Sequence, residues 1–216
     1  MDLTMIVSQL FEGMITSFNI FVLTLIFSLP LGLIVSFGRM SKNIILRVFT
    51  KTYISIMRGT PLMLQLLVVY FGPYFILGIN ISNNYRFVAV IIAFVLNYAA
   101  YFAEIYRSGI ESMPVGQYEA ANVLGYSKMQ TFVKIIFPQV IKRILPPVTN
   151  EVITLIKDTS LAFAIAVSEM FTVAKAIASR EKNMIAFIAA GIFYYVFNFI
   201  VAFIMERMEK NLNYYR

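Results

Sequence analysis

The feature that most constrains this chain is a run of 26 residues without a charged side chain, from Gly13 to Gly38. About 20 consecutive apolar residues are enough for a helix to cross the hydrocarbon core of a bilayer, so this run predicts a membrane span. The chain as a whole is 60% hydrophobic and 13% charged, whereas soluble domains carry about 25% charged residues. The sequence therefore predicts an all-α, polytopic integral membrane protein.

Five predicted spans and one polar insert account for the rest of the pattern. The spans cover residues 13–38, 60–79, 87–106, 145–173 and 183–205, and the insert covers residues 107–144. Pro30 is expected to kink the first span. Residues 1–216 are expected to form a single transmembrane domain. The N-terminal segment lacks the basic region of a cleaved signal peptide, so we expect it to remain in the mature protein.

The distribution of Lys and Arg predicts the orientation, because cytoplasmic loops are enriched in these residues. Thirteen of them fall on one side of the five-span arrangement and four on the other. The richer side holds Arg39, Lys42, Arg47, Lys51, Arg58, Arg107, Lys128, Lys134, Lys142, Arg143, Arg207, Lys210 and Arg216. The other side holds Arg86 and an expected outer loop with Lys175, Arg180, Glu181 and Lys182. We therefore expect the N-terminus outside, and the insert and the C-terminus in the cytoplasm. Membrane orientation explains the net charge of +7 without a nucleic-acid partner.

Two residue types that carry much of protein chemistry are absent, because the sequence has no Cys and no His. The first absence removes disulfides and thiol chemistry. The second removes the commonest metal ligand and the usual general base at neutral pH. No catalytic constellation is visible, so no catalytic or metal-binding residue is predicted.

The insert reads as two short helices joined by a turn. Ser112 is a plausible N-cap with Pro114 in the first turn, and Gly125 closes the first helix. Ser127 can cap the second helix, which Pro138 is expected to end or kink. Such an insert suits a plain connector, a helix on the membrane surface, or a docking element for another protein.

The first helix of the insert favours docking over membrane binding. It has no Lys or Arg between Val115 and Leu124 to meet anionic headgroups. Its small residues Ala120 and Ala121 permit close approach to a partner, and Glu119 offers one acidic contact.

The insert also resembles a known motif. Its residues Glu119-Ala120-Ala121, Gly125, Ile135 and Phe137-Pro138 are similar to the EAA loop of ABC importer permeases, with Phe137 where Leu is usual. Three further stretches, "RGTPLMLQLLVVYFG" (58–72), "YFAEIYRSGIESMPVGQYEAA" (101–121) and "LIKDTSLA" (155–162), resemble the polar amino acid branch of that family. Together they cover most of the chain in the family's order.

The resemblance implies a type I ABC importer fold in a bacterial plasma membrane. It implies that Glu119, Ala120, Ala121 and Gly125 belong to a coupling helix that sits in a cleft of a separate ATP-binding subunit. The chain has no GxxxxGK[ST] phosphate loop, so ATP-Mg is expected on that partner and no cofactor on this chain. A second permease chain, identical or different, and an extracytoplasmic amino acid-binding protein are the other implied partners.

Ionisable residues inside the fourth span are the main candidates for substrate contact, because a charge at mid-span costs about 2.5 to 3.5 kcal/mol on insertion scales. Glu151 and Asp158 are seven residues apart and share a helix face, while Lys157 lies on another. They either line a polar cavity that receives a substrate ammonium, or pair internally with Lys157 or Arg143. The two acids favour a basic amino acid only weakly.

Polar residues on the second and third spans complete the candidate site. Gln65, Asn97 and Tyr101 are expected to line the cavity, although helix contacts could satisfy Gln65 and Asn97 equally well. The segment 58–61 either receives a carboxylate at the helix start or, as we favour, caps the second span at the cytoplasmic boundary.

Other charged groups at the span ends have simpler roles. Glu104, Arg107 and Glu111 are spaced for an ion-pair set at a helix end. The expected outer loop is either plainly solvated or contacts the binding protein.

These observations predict a permease subunit that imports polar amino acids by alternating access, driven by a separate ATPase. An ion-coupled carrier or a channel is the alternative, but no internal repeat is visible and five spans do not divide into two matching halves. A membrane enzyme lacks its catalytic residues here.

Overall fold

The structure, a computed structural model, describes residues 2–212, so Arg216 of the orientation count lies outside the described residues. Within that range the chain is all-helical, with nine α-helices. Their bounds are α1 Leu3–Arg39, α2 Ile44–Gly59, α3 Leu62–Leu77, α4 Tyr85–Glu111, α5 Val115–Val123, α6 Lys128–Thr131, α7 Phe137–Asp158, α8 Met170–Glu181 and α9 Ile185–Asn211. A π-helical turn, Phe132–Ile136, joins α6 to α7, and a 3-10 helix, Thr159–Ile165, follows α7.

Helices α1 and α4 form the centre of the bundle. The face of α1 towards α4 is a row of small residues that includes Ser28, Gly32 and Ser36, all buried. A Cβ added at Gly32 would lie 2.8 Å from Cβ of Phe102 on α4, so the two backbones approach as closely as small residues allow. The α-helix is continuous through Pro30.

Three helices, α1, α4 and α9, are each long and apolar enough to cross a membrane. Two further pairs pass the same test only together: α2 with α3, bent by 109°, and the helical stretch ending at Ile165 with α8, bent by 58°. If each bent pair counts as one span, the total is five, which agrees with the predicted fold class. On that count, the second and fourth spans are each built from two helices with a break between them.

The structure corrects the expected position of the second span's start. Residues 44–59 were expected to connect two spans at the cytoplasmic boundary, but they form α2, whose Ile54 packs against Ala100 and Ala103 of α4. The side chain of Asn97, at the middle of α4, reaches the end of α2. The break between α2 and α3 therefore lies level with the middle of α4. The basic residues of α2 interrupt its apolar pattern, so no uncharged run indicates this helix in the sequence.

The structure also divides the fourth predicted span. Helix α7 ends at Asp158 and continues as the 3-10 helix to Ile165, the chain bends by 58° after a left-handed Ala166 with φ of 56°, and α8 begins at Met170. The expected outer loop is wrong for Lys175, Arg180 and Glu181, which lie in α8. Lys182 follows α8 in a left-handed conformation.

The expected start of the insert's first helix is wrong. Ser112 follows α4 and bonds back to the Gly109 carbonyl, and Pro114 is the N-cap of α5. Of the two outcomes expected at Pro138, an end of the second helix is wrong, because the helical path continues from the π-helical turn into α7.

Candidate functional site

The side-chain amide of Gln65 bonds to backbone carbonyls at the break between α2 and α3. Pro61 lacks an N–H and follows an extended Thr60, so the carbonyls at the end of α2 lose their helical partners. The Gln65 amide donates to the Met57 carbonyl at 2.9 Å, to the Thr60 carbonyl at 3.1 Å and to Thr60 Oγ1 at 2.8 Å. The geometry of the break is therefore fixed rather than loose.

Asn97 extends this network across to α4. Its Nδ2 donates to the Met57 carbonyl and to Gln65 Oε1, both at 3.0 Å, and the residue is only 4% exposed. The structure thus brings the predicted residues Gln65 and Asn97 together. In this conformation their amides satisfy one another and the broken helix.

The end of α7 lies at the same level as this break. Tyr98, next to Asn97, donates a hydrogen bond of 2.7 Å to Asp158 Oδ2. Glu151 lies two turns earlier on α7 and is half-buried. Both candidate acids are therefore on α7, with Asp158 at its C-terminal end and hydrogen-bonded to Tyr98.

A cleft of about 490 Å³ opens between the end of α2, the second half of α4 and α7. Glu151 and Tyr101 line it, together with Arg58, Glu104 and Arg143. The structure therefore brings two of the five predicted substrate residues into one cavity. Gln65, Asn97 and Asp158 do not line that cavity.

Internal ion pairing does not neutralise the two candidate acids in the described part of the chain. Neither Glu151 nor Asp158 forms an ion pair there. Arg143, one expected partner, donates instead to the Ser112 carbonyl at 2.7 Å and to Ser112 Oγ at 3.1 Å. Glu151 makes no hydrogen bond to the described residues, so its carboxylate is available to a ligand.

The expected ion-pair set at the end of α4 is confirmed. Arg107 forms ion pairs with Glu104 and with Glu111, one turn away on either side. The negative charge of Glu104, which lines the cleft, is therefore already neutralised by Arg107.

One buried carboxylate was not singled out from the sequence. Glu169 is fully buried and caps α8, accepting from the backbone N–H groups of Phe171 and Thr172 at 2.7 Å each. Tyr194 of α9 donates to the same carboxylate at 3.2 Å. The sequence feature that could have indicated this role is an acidic residue immediately before the apolar run of α8, where Glu169 is the N-cap.

The insert presents its first helix, α5, on the surface. Glu119 and Ala120 are exposed, whereas Ala121 is 1% exposed and packs inside this chain. Gly125 turns the chain with φ of 79°, a conformation that glycine adopts without strain. Ser127 and Gln130 form a reciprocal capping box at the start of α6, so the predicted cap at Ser127 is confirmed.

The exposed surface of the insert also carries apolar side chains. Val123, 86% exposed, Leu124 and Met129 are exposed in the same insert as Glu119. Exposed apolar side chains of this kind suit a surface that contacts another protein or the membrane.

Known proteins resemble this chain over almost its whole length. Residues 28–214 match the family model described as binding-protein-dependent transport system inner membrane component. The L-cystine transport system permease protein TcyB of Bacillus subtilis (strain 168) is 37% identical over 90% of this chain and 82% of its own length. The same organism's "Probable amino-acid ABC transporter permease protein YckA" is 44% identical over 86% of this chain and 80% of its own.

A solved structure agrees with the sequence relatives. The crystal structure of an amino acid ABC transporter with histidines contains a chain that is 29% identical, with a TM-score of 0.87 over 98% of this chain and 99% of the other. The chain therefore belongs to the family of binding-protein-dependent transport system inner membrane components, the permease subunits of ABC importers.

Proposed function

We propose that this chain is the permease subunit of an importer that moves amino acids into the cytoplasm, and that Glu151 in the cleft receives the substrate's ammonium group. The observation that carries the proposal is the carboxylate of Glu151, which forms no ion pair within residues 2–212 and lines a cleft that reaches the end of the broken helix α2. Broken helices at mid-depth are the usual place for substrate sites in transporters. The names of the relatives, which refer to L-cystine, amino acids and histidines, support an amino acid substrate.

The other predicted substrate residues divide into two roles. Tyr101 shares the cleft with Glu151, and Asp158 adds negative charge at the end of the same helix. Gln65 and Asn97 hold the break that follows Arg58, where α2 meets the cleft. They bind substrate only if the hydrogen bonds of this network open. Two acids on one helix favour substrates with a second positive charge, so basic amino acids are the preferred class.

Coupling to ATP hydrolysis is proposed to pass through α5. Its exposed Glu119 and Ala120 meet a groove of the ATP-binding subunit, while Ala121 and Gly125 fix the shape of the helix and its turn. Closure of two such subunits around ATP would draw two α5 helices together and turn the broken spans around the cleft. ATP-Mg is held by the partner in this scheme.

The remaining partners follow from surfaces that this chain leaves open. A second permease chain is proposed to complete the path, as the importer family implies. The outer ends of the spans are the proposed contact for an extracytoplasmic binding protein, with the N-terminus outside and the C-terminus in the cytoplasm. Residues 1–216 act as a single transmembrane domain in this scheme. Membership of the importer family disfavours the alternative of an ion-coupled carrier or channel.

The test is binding by the detergent-purified transporter complex. The double variant Glu151→Gln with Asp158→Asn is expected to raise the dissociation constant of the amino acid that most stimulates ATP hydrolysis by about 10-fold or more, because charge-assisted bonds contribute about 1.5 to 3 kcal/mol. Glu206→Gln is the control, since Glu206 is exposed and pairs with Lys210 away from the cleft. An unchanged dissociation constant in a folded double variant would contradict the proposal.

A further inference from the structure

Two arginines line the cleft, and they differ in what they already bind. The Arg143 guanidinium is held by the carbonyl and hydroxyl of Ser112. The Arg58 guanidinium lies over the ring of Tyr101, 5.3 Å from its centroid, and makes no hydrogen bond or ion pair within residues 2–212. Arg58 therefore offers its N–H donors to whatever enters the cleft.

The position of Arg58 is set by the broken span. It lies in the last turn of α2, between Met57 and Thr60, whose carbonyls are held by Gln65. The ring of Tyr101 supports its face, and a guanidinium stacked on an aromatic ring keeps its edge free for hydrogen bonds. A fixed, supported arginine is well suited to bidentate binding of a planar anion.

The charges across the cleft complement this arginine. Of the two acids that line it, Glu104 is paired with Arg107, whereas Glu151 forms no ion pair or hydrogen bond within residues 2–212. The charges of Arg58 and Glu151 attract each other across the cleft, but within the same residues they form no direct ion pair. A ligand with a carboxylate and an ammonium group would match both at once.

We propose that Arg58 binds the α-carboxylate of the transported amino acid while Glu151 binds its ammonium group. This inference rests on the proposed function, and it adds the orientation of the substrate and the requirement for a free carboxylate. Lys157, an exposed cation on α7 that does not line the cleft, is the competing partner for the carboxylate.

The consequence is discrimination against ligands that lack the carboxylate. An α-carboxamide keeps the ammonium group but loses the charge that Arg58 recognises. A site built around a charged partner rejects such an analogue because its own charge is left unpaired. The discrimination should disappear when the arginine is removed.

The experiment measures dissociation constants for the nucleotide-free complex of permease and ATP-binding subunits, without the binding protein. The probes are L-arginine and L-argininamide, or the same acid and amide pair for whichever of the common amino acids binds most tightly. In the wild-type complex the acid is expected to bind about 10- to 100-fold more tightly than the amide. In Arg58→Gln the acid weakens by that factor, the amide changes little, and the ratio falls towards one.

Matched variants separate this role from a structural one. Arg143→Gln removes the other arginine of the same cleft and should keep the acid-to-amide ratio, and Arg58→Lys should keep part of it. The inference is overturned if Arg58→Gln keeps the wild-type ratio or if Lys157→Gln abolishes it instead. If the wild-type complex binds no amino acid at all, the proposed function fails, and this result is distinct from a ratio that is insensitive to Arg58.

Discussion

Tyr98 donates a 2.7 Å hydrogen bond to the carboxylate of Asp158, joining the middle of α4 to the last residue of α7. Tyr98 is 2% exposed, so the bond lies inside the bundle. It fixes the C-terminal end of α7 against the central helix α4. The carboxylate of Asp158 therefore has a structural partner within the chain.

Replacing Tyr98 with Phe should destabilise the protein by about 1 to 3 kcal/mol, because a half-buried carboxylate is left with an unmet acceptor. Thermal unfolding of the detergent-purified complex measures this effect. Tyr101→Phe is the matched control, since the Tyr101 hydroxyl makes no hydrogen bond within the described residues and its ring is retained under Arg58. Equal effects of the two changes would contradict this role for Tyr98.

Glu169 is expected to be essential for the stability of α8. Glu169→Ala removes the acceptor for two backbone N–H groups of α8 and for Tyr194, and should cost about 2 to 4 kcal/mol. Glu169→Gln should cost less, because one oxygen remains to cap the helix. Stability in denaturant titration is the measurement, with exposed Glu206→Ala as the control, expected within about 0.5 kcal/mol of wild type. A neutral Glu169→Ala would show that α8 does not depend on this cap.

Gly32 is expected to tolerate no side chain. Gly32→Ala places a methyl group 2.8 Å from Cβ of Phe102 and 3.0 Å from the Ala99 carbonyl oxygen, so α1 and α4 must separate. Overpacking of this kind costs about 1 to 3 kcal/mol. Gly191→Ala meets nothing within 4 Å on α9 and should be neutral or stabilising by up to about 1 kcal/mol. The melting temperature should fall in Gly32→Ala and should stay unchanged or rise in Gly191→Ala. A stabilised Gly32→Ala would contradict the close packing.

Gln65 is expected to matter through the break that it holds. Gln65→Leu removes the side-chain amide, so the Thr60 carbonyl loses its donor and the Met57 carbonyl keeps only Asn97. We expect a loss of about 1 to 3 kcal/mol in stability, together with weaker binding of amino acids because Arg58 is no longer held in place. Gln139→Leu is the comparison, because Gln139 bonds to the insert away from the cleft. Weaker binding in the comparison variant alone would place the effect outside the break.

The sequence predicts those parts of the fold that depend on local composition. Uncharged runs predicted α1, α3, α4 and α9 with their ends shifted by several residues, and turn residues predicted the cap at Ser127. A bundle with up to five membrane-spanning elements and the exposed position of Glu119 agree with the same local signals.

The broken spans were missed because their causes are not local. Helix α2 carries Arg47, Lys51 and Arg58, and so resembled a loop, although its other face packs against α4. The break beyond Thr60 depends on Asn97, 40 residues from its Met57 acceptor, and Glu169 finds Tyr194 on another helix. No periodicity in the sequence reports such contacts. The cleft itself forms only when α2, α4 and α7 are brought together.

The most direct test of the account is amino acid uptake by proteoliposomes that contain the permease pair with its ATP-binding subunits, supplied with the extracytoplasmic binding protein. Glu119→Arg should reduce ATP-driven uptake by about 10-fold or more, because a charge-assisted contact with the partner becomes repulsive. The control Glu206→Arg makes the same charge change at an exposed site away from α5 and should stay within about 2-fold of wild type. Uptake that persists at the wild-type rate in Glu119→Arg, or without the ATP-binding subunits, would contradict the account.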